Sequence, residues 1–276
     1  MPYLARLLLL GLLTACVATP AGAAPRLYVF DCGRITLTDV SAFGLSNTET
    51  AVRELFVPCY LIENEGRRLL WDAGLPLGLA GQGTQSGASG MGLHYTRSLL
   101  EQLEDLTLTP QDIDFLAFSH FHFDHVGAAE AFPTATLLIS PQEWEAAFLH
   151  ADENPIFDKS LYENLENSNK RLIDPRHDVF GDGSVEIVAA PGHTPGHQVL
   201  LLRLENTGTV VLSGDLYHFE FSRTHRRVPI FNTDPAQTLA SMQKIETLIE
   251  AEGAQLWIEH NQALADKLEK APAFYD

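Results

Sequence analysis

Three imidazoles and a carboxylate fall within six consecutive positions of the stretch Ser119-His120-Phe121-His122-Phe123-Asp124-His125-Val126-Gly127. Imidazole and carboxylate are the groups a protein offers to divalent transition metals, and a loop needs no such set merely to stay soluble. His120 and His122 leave the end of an apolar run, residues 115–118, two positions apart, so on extended backbone both project to one side. The chain can then turn to present Asp124 and His125. Farther along, His193 sits in Pro191-Gly192-His193-Thr194-Pro195-Gly196-His197, where prolines and glycines fix a rigid turn that can hold an imidazole for a metal. His197 is read as structural, bonding the backbone of that turn. Asp215 and His260 each follow an apolar run as well.

The elements that must position these groups are legible as short apolar runs. Residues 27–32, 55–62 and 68–71 read as strands of an N-terminal sheet; 136–139, 185–190, 199–204, 209–213 and 255–258 read as later strands. Asp72, closing the third run, is either a carboxylate facing the metal site or a turn residue bonding its own backbone. Six glycines, little charge and no periodicity over 77–93 predict a long mobile loop. Its Leu77, Leu79, Met91 and Leu93 would line an acyl-binding groove, unless the loop is a plain surface insertion. Thr96 is expected to cap a short helix bearing Leu99, Leu100 and Leu103. Ser140-Pro141-Gln142-Glu143 reads as a capping box, and Trp144 pairs with Phe148 as core on the helix it starts. Residues 152–170 read as an irregular surface excursion. Asp234 caps a helix to about Glu252, with Leu239, Met242, Ile245 and Ile249 along one face. Every candidate ligand thus lies just past a strand, where sheet-based sites are built.

With 276 residues, 45% of them hydrophobic, the chain is long enough to bury a sizeable core. Its 36 acidic against 18 basic residues give a formal charge of −18, which repels phosphate-rich polymers and argues against nucleic acid as substrate. Residues 1–24 stand apart from the domain at 25–276. Arg6, the apolar run 7–13 and the small residues after it read as an export signal, for a periplasmic or secreted protein. Two processing routes are open: cleavage after Ala21-Gly22-Ala23, or a lipobox, Leu13-Thr14-Ala15-Cys16, with a lipid anchor at Cys16. Export makes a Cys32–Cys59 disulfide available, and two buried free thiols are the other reading.

The cluster His120-x-His122-x-Asp124-His125, followed by His193, Asp215 and a last His260, resembles the metallo-β-lactamase superfamily. The resemblance spans nearly all of 25–276. It implies an α/β fold, an αββα sandwich of two mixed β-sheets flanked by helices, with the site at one edge. It also implies that His120, His122 and His193 hold one ion, that Asp124, His125 and His260 hold a second, and that Asp215 bridges them. Seven such groups are too many for one tetrahedral ion. Zinc is the expected metal for both, and iron, manganese or cobalt would fit the same set. Within the superfamily, Asp215 sets the chain apart from true β-lactamases, and the short tail after His260 leaves no room for the helical domain of hydroxyacylglutathione hydrolases. The runs Leu27-Tyr28-Val29-Phe30-Asp31-Cys32-Gly33 and Val57-Pro58-Cys59-Tyr60-Leu61-Ile62 resemble the N-acyl homoserine lactonases. That group typically has a tyrosine three residues after the bridging aspartate. Here Tyr217 is two after and His218 three after.

The resemblance therefore implies a dinuclear hydrolase that opens a small lactone or related carboxylic ester, with N-acyl homoserine lactone first and quorum quenching as its effect. Asp124 is the candidate to pass a proton to the departing alkoxide, and Tyr217 or His218 to hydrogen-bond the carbonyl oxygen. Two other classes stay open: a hydrolase of the same fold acting on thioesters, organophosphates or β-lactams, and a non-catalytic exported metal-binding protein. A homodimer is left open too.

Overall fold

The computed structural model describes residues 24–276. The expected export signal, with Arg6, Cys16 and Ala21 to Ala23, lies outside the described residues. Thirteen strands form two mixed sheets. In the first are β1 (Arg26–Thr36), β2 (Glu54–Asn64), β3 (Arg67–Trp71), β4 (Gln85–Ser86), β5 (Gly92–His94), β6 (Phe115–Ala117), β7 (Thr136–Ile139) and β8 (Lys170–Leu172). Their spatial order is β4-β5-β1-β2-β3-β6-β7-β8. The second holds β9 (Arg176–Asp178), β10 (Val185–Ala189), β11 (Gln198–Leu204), β12 (Gly208–Leu212) and β13 (Gln255–Trp257), in the order β13-β12-β11-β10-β9.

Strand periodicity explains why these sheets stack. Along β11, Leu200 and Leu202 face one way and Val199 and Leu201 the other. The first pair joins Leu27, Val29, Ile62, Leu69, Trp71 and Ala117 of the other sheet in a shared core between the two. The second pair packs under the helix Pro235–Glu252, against Met242, Ile245 and Ile249. On the far side of the first sheet, Phe30, Leu70, Leu116 and Leu137 meet Leu99 and Leu103 of the helix Leu99–Glu104. Helix, sheet, sheet and helix follow one another, which is the αββα sandwich.

Most predicted elements recur within a residue or two, and the exceptions have physical causes. The glycine-rich segment is not wholly irregular: β5 pairs with β1 through Arg34 and His94, and β4 pairs with β5. Two- and three-residue strands exist only because an existing edge supplies their partners, so no local pattern announces them. Leu77, Leu79 and Met91 pack against the outer core of the first sheet. The helix cap is two residues later than Thr96: Ser98 accepts from Glu101 N–H, and Glu101 returns the bond in a full capping box. Trp144 and Phe148 stack with centroids 4.1 Å apart, as helical spacing predicts.

Cys32 and Cys59 form a disulfide between β1 and β2, with Cα atoms 5.8 Å apart. Closing a loop across a sequence separation of 27 restricts the unfolded chain by about 3.5 kcal/mol. The Cys32→Ala/Cys59→Ala variant is therefore expected to melt about 10 °C lower in a calorimeter. An unchanged melting temperature would show that the bond contributes nothing to stability.

Candidate metal centre

The ligand candidates converge at the C-terminal ends of β6, β10, β12 and β13. His120 and His122 follow β6, His193 follows β10, Asp215 follows β12 and His260 follows β13. Asp72, at the end of β3, stands behind them. One set brings together His120, His122, His193 and Asp215; another brings together Asp124, His125 and His260; all are buried. His193 Nε2 lies 3.1 Å from both His120 Nε2 and His122 Nδ1.

Four of the five imidazoles, all but that of His122, are turned by a bond to their other nitrogen. His125 Nδ1 donates to Asp72 Oδ2 at 2.9 Å, His193 Nδ1 to Asn232 Oδ1 at 2.9 Å, and His260 Nδ1 to the Phe56 carbonyl at 2.7 Å. His120 Nδ1 lies 3.0 Å from Ser119 Oγ. In these four, with Nδ1 committed, Nε2 carries the lone pair and faces the common centre, the tautomer a metal requires, whereas His122 turns its Nδ1 toward the centre. Asp72 takes the first of its two readings, facing the site rather than bonding its own backbone: Oδ1 accepts from Ser119 N–H at 2.6 Å while Oδ2 holds His125.

Asp215 stands between the two sets. Its Oδ2 lies 3.2 Å from His193 Nε2 and 3.6 Å from His120 Nε2, whereas Oδ1 lies 2.9 Å from His260 Nε2 and 3.3 Å from His125 Nε2. Asp215 Oδ1 and His125 Nε2 are nevertheless buried without an aligned hydrogen bond. Buried polar atoms that aim at one another's lone pairs are costly in a protein interior, and cations between them remove that cost. The donor chemistry and these orphaned atoms fit a pair of divalent ions. Burial first, then neighbouring imidazoles, hold His120 and His122 well below the ordinary histidine value, so both are neutral and ready to ligate. Burial would raise Asp215, but the imidazoles of His218, His260, His125 and His120 hold it well below the usual carboxylate range.

His197 has the structural role foreseen for it. Its Nδ1 donates to the Ala190 carbonyl and its Nε2 accepts from Asp215 N–H at 3.0 Å, so the 191–197 turn fixes the backbone of the central aspartate. Gly214 has φ +49°, and a Cβ there would come within 2.7 Å of His197 Nε2 and 2.6 Å of Ser119 Cβ. Only glycine allows that approach.

The two carbonyl-orienting candidates separate. Tyr217 has extended backbone, φ −140° and ψ 133°, so its side chain and that of His218 leave on opposite faces. Tyr217 turns into the core beneath the 235–252 helix, and its hydroxyl donates to Glu246 Oε1 at 2.9 Å. A role for Tyr217 at the reacting carbonyl is thereby corrected. His218 instead points into the centre, its Nε2 3.0 Å from Asp215 Oδ2. Phe43 and Phe231 flank it, with centroids 4.9 and 5.9 Å from its ring, and Phe157 lies 6.0 Å from His122. These rings give the imidazoles an apolar wall. Tyr217→Phe is expected to keep kcat within about twofold and to lose about 1 kcal/mol of stability with its hydrogen bond. A hundredfold fall in kcat would return Tyr217 to the reacting centre.

Sequence reasoning missed Asn232, Glu143 and Glu259. Glu259 is buried next to His260, and burial, then the charge of Asp72, push its carboxyl well above the ordinary value. No local pattern marks Asn232 or Glu259, and the capping box that marks Glu143 gives no hint of its partners at Phe121, Thr194 and Gly196.

The sequence profile of the metallo-beta-lactamase superfamily matches residues 52–251. The chain belongs to that superfamily. It is 34% identical over 63% of its length to an N-acyl homoserine lactonase AttM of Azorhizobium caulinodans, of which it covers 68%. Against N-acyl homoserine lactonase AttM of Rhizobium radiobacter it is 30% identical, over 91% of this chain and 98% of that one. Among solved structures, an N-acyl homoserine lactone hydrolase with the product N-hexanoyl-L-homoserine at its catalytic metal centre superposes with a TM-score of 0.77. That pair is 26% identical, over 91% of this chain and 99% of the other. The superfamily fold is the sandwich described above.

Proposed function

We propose that the protein is a dinuclear metal-dependent lactonase that opens N-acyl homoserine lactones to N-acyl homoserines. The observation that carries this reading is Asp215, whose two oxygens face two separate ligand sets. His120, His122 and His193 would hold one ion, Asp124, His125 and His260 the other, with zinc as the metal best suited to imidazole and carboxylate. Two bound divalent ions supply a water acidified toward neutral pH and an electrophile for the ester carbonyl. His218, buried beside Asp215, is placed to hydrogen-bond the carbonyl oxygen as negative charge gathers there. Asp124, with Oδ2 3.8 Å from His260 Nε2, takes the proton released by the attacking water and delivers it to the departing ring oxygen. One water is added, the ring C–O bond breaks, and a hydroxy acid leaves. The rings of Phe43, Phe157 and Phe231 suit an acyl chain better than a charged substituent.

A pH-stat assay with N-acyl homoserine lactones, an aryl ester, a thioester, an organophosphate and a β-lactam tests the reading. The acyl lactones are expected to have the highest kcat/KM; preference for another class overturns the substrate assignment. His218→Ala should lower lactone kcat by about 10–1,000-fold with the metals retained. Full activity in that variant moves the carbonyl contact elsewhere.

Export belongs to the same proposal. A disulfide persists in oxidising compartments, so the Cys32–Cys59 bond supports the reading of residues 1–24 as an export signal. Intact mass from a bacterial host distinguishes cleavage after Ala23 from a lipid-bearing Cys16, and an intact Met1 contradicts both. Sedimentation of the purified protein decides whether it is a homodimer.

A further inference from the structure

Ser140 begins its helix as a capping box predicts, with Oγ accepting from Glu143 N–H at 3.2 Å. The reciprocal half is diverted. Glu143 Oε1 accepts from Phe121 N–H at 3.0 Å, while Oε2 accepts from the Thr194 hydroxyl at 2.7 Å and from Gly196 N–H at 2.8 Å. Phe121 stands between His120 and His122, and Thr194 follows His193. Glu143 is 2% exposed, and among the described residues its carboxylate bonds only to these three uncharged donors, which offset its burial. Ser140 Oγ also donates to the Gly196 carbonyl at 3.1 Å. The segments touch closely enough that a Cβ on Gly196 would fall 2.2 Å from Ser140 Oγ and 2.3 Å from Glu143 N.

His120 and His122 leave the first sheet and His193 leaves the second. The core between the sheets is apolar, and apolar packing is not directional, so it does not by itself fix the separation of those imidazoles. Hydrogen bonds are directional, and Glu143 makes them to both segments at once. We infer that Glu143 is a positioning residue for the metal centre, a clasp that sets the distance from the 120–122 segment to the 193–196 turn and thereby prepares the three-histidine site. This rests on the reading of His120, His122 and His193 as ligands of one ion.

Glu143→Gln keeps the volume but turns an amide NH2 toward at least one backbone N–H, whichever way the amide lies. Zinc affinity of the apo protein, measured by competition with a chromophoric chelator, reads the consequence independently of catalysis. The wild type should take up two ions, and Glu143→Gln should weaken one of them by about 10–100-fold, the scale for losing a partner that orients ligands. Thr194→Val, which removes one arm only, should show a several-fold shift and serves as the test if Glu143→Gln does not accumulate. Melting of the apo proteins is followed alongside. Unchanged zinc affinity in a folded variant that melts lower makes Glu143 merely structural and overturns the inference. A wild type that binds no zinc overturns the ligand assignment itself, and the clasp with it.

Discussion

Replacing Asp215 by asparagine is expected to lower both metal occupancy and lactone turnover, each by about 100-fold or more. Its carboxylate lies within 3.6 Å of four imidazole nitrogens that belong to two ligand sets. Asparagine keeps the shape but loses the charge that offsets two dications, and one of its two positions becomes an NH2 that cannot ligate. Removing a partner that merely orients a ligand already weakens metal binding by about 10–100-fold, and a direct bridge should exceed that. Elemental analysis together with kcat/KM checks the result. Loss of turnover with both ions retained would make Asp215 a proton carrier or electrostatic stabiliser rather than a bridge.

Stripping the metals is expected to abolish activity and to soften the fold. The interior then holds a cluster of imidazoles and two buried carboxylates, Asp124 and Asp215, without the cations that compensate them. Ions bound only by the native state stabilise it by roughly 4 kcal/mol for each thousandfold excess over Kd. Dialysis against a strong chelator should therefore lower the melting temperature by about 10 °C, and added zinc should restore both stability and turnover. Activity that survives complete chelation would contradict a metal-dependent mechanism.

The candidate ligands are legible because a metal-binding pattern is local: four of the seven sit within six positions, and the rest each follow an apolar run. What orients them is not. Asp72 reaches His125 across 53 residues, Asn232 reaches His193 across 39, and the Phe56 carbonyl holds His260 across 204. A backbone carbonyl carries no sequence signature at all. Glu143 was visible as a capping residue, and local capping logic assigned its carboxylate to the helix when tertiary donors compete for it and win. The choice between Tyr217 and His218 turned on one dihedral pair. Extended backbone at Tyr217 sends its side chain to Glu246 and that of the next residue, His218, to Asp215. The sheets are readable wherever strands alternate or run fully apolar, as in β2 and β11, and unreadable in β5, which is held by the edge of β1, and in β4, which is held by β5.

We propose that two ions, held on either side of Asp215, make one lactonase site. Metal-free protein titrated with zinc, with the opening of an N-acyl homoserine lactone followed at each addition, puts this to the test. Turnover is expected to rise to a plateau at two ions per chain, and Asp215→Asn to fall short of it at the same zinc concentration. A plateau at one ion per chain, or full occupancy with no lactone opening, would contradict it.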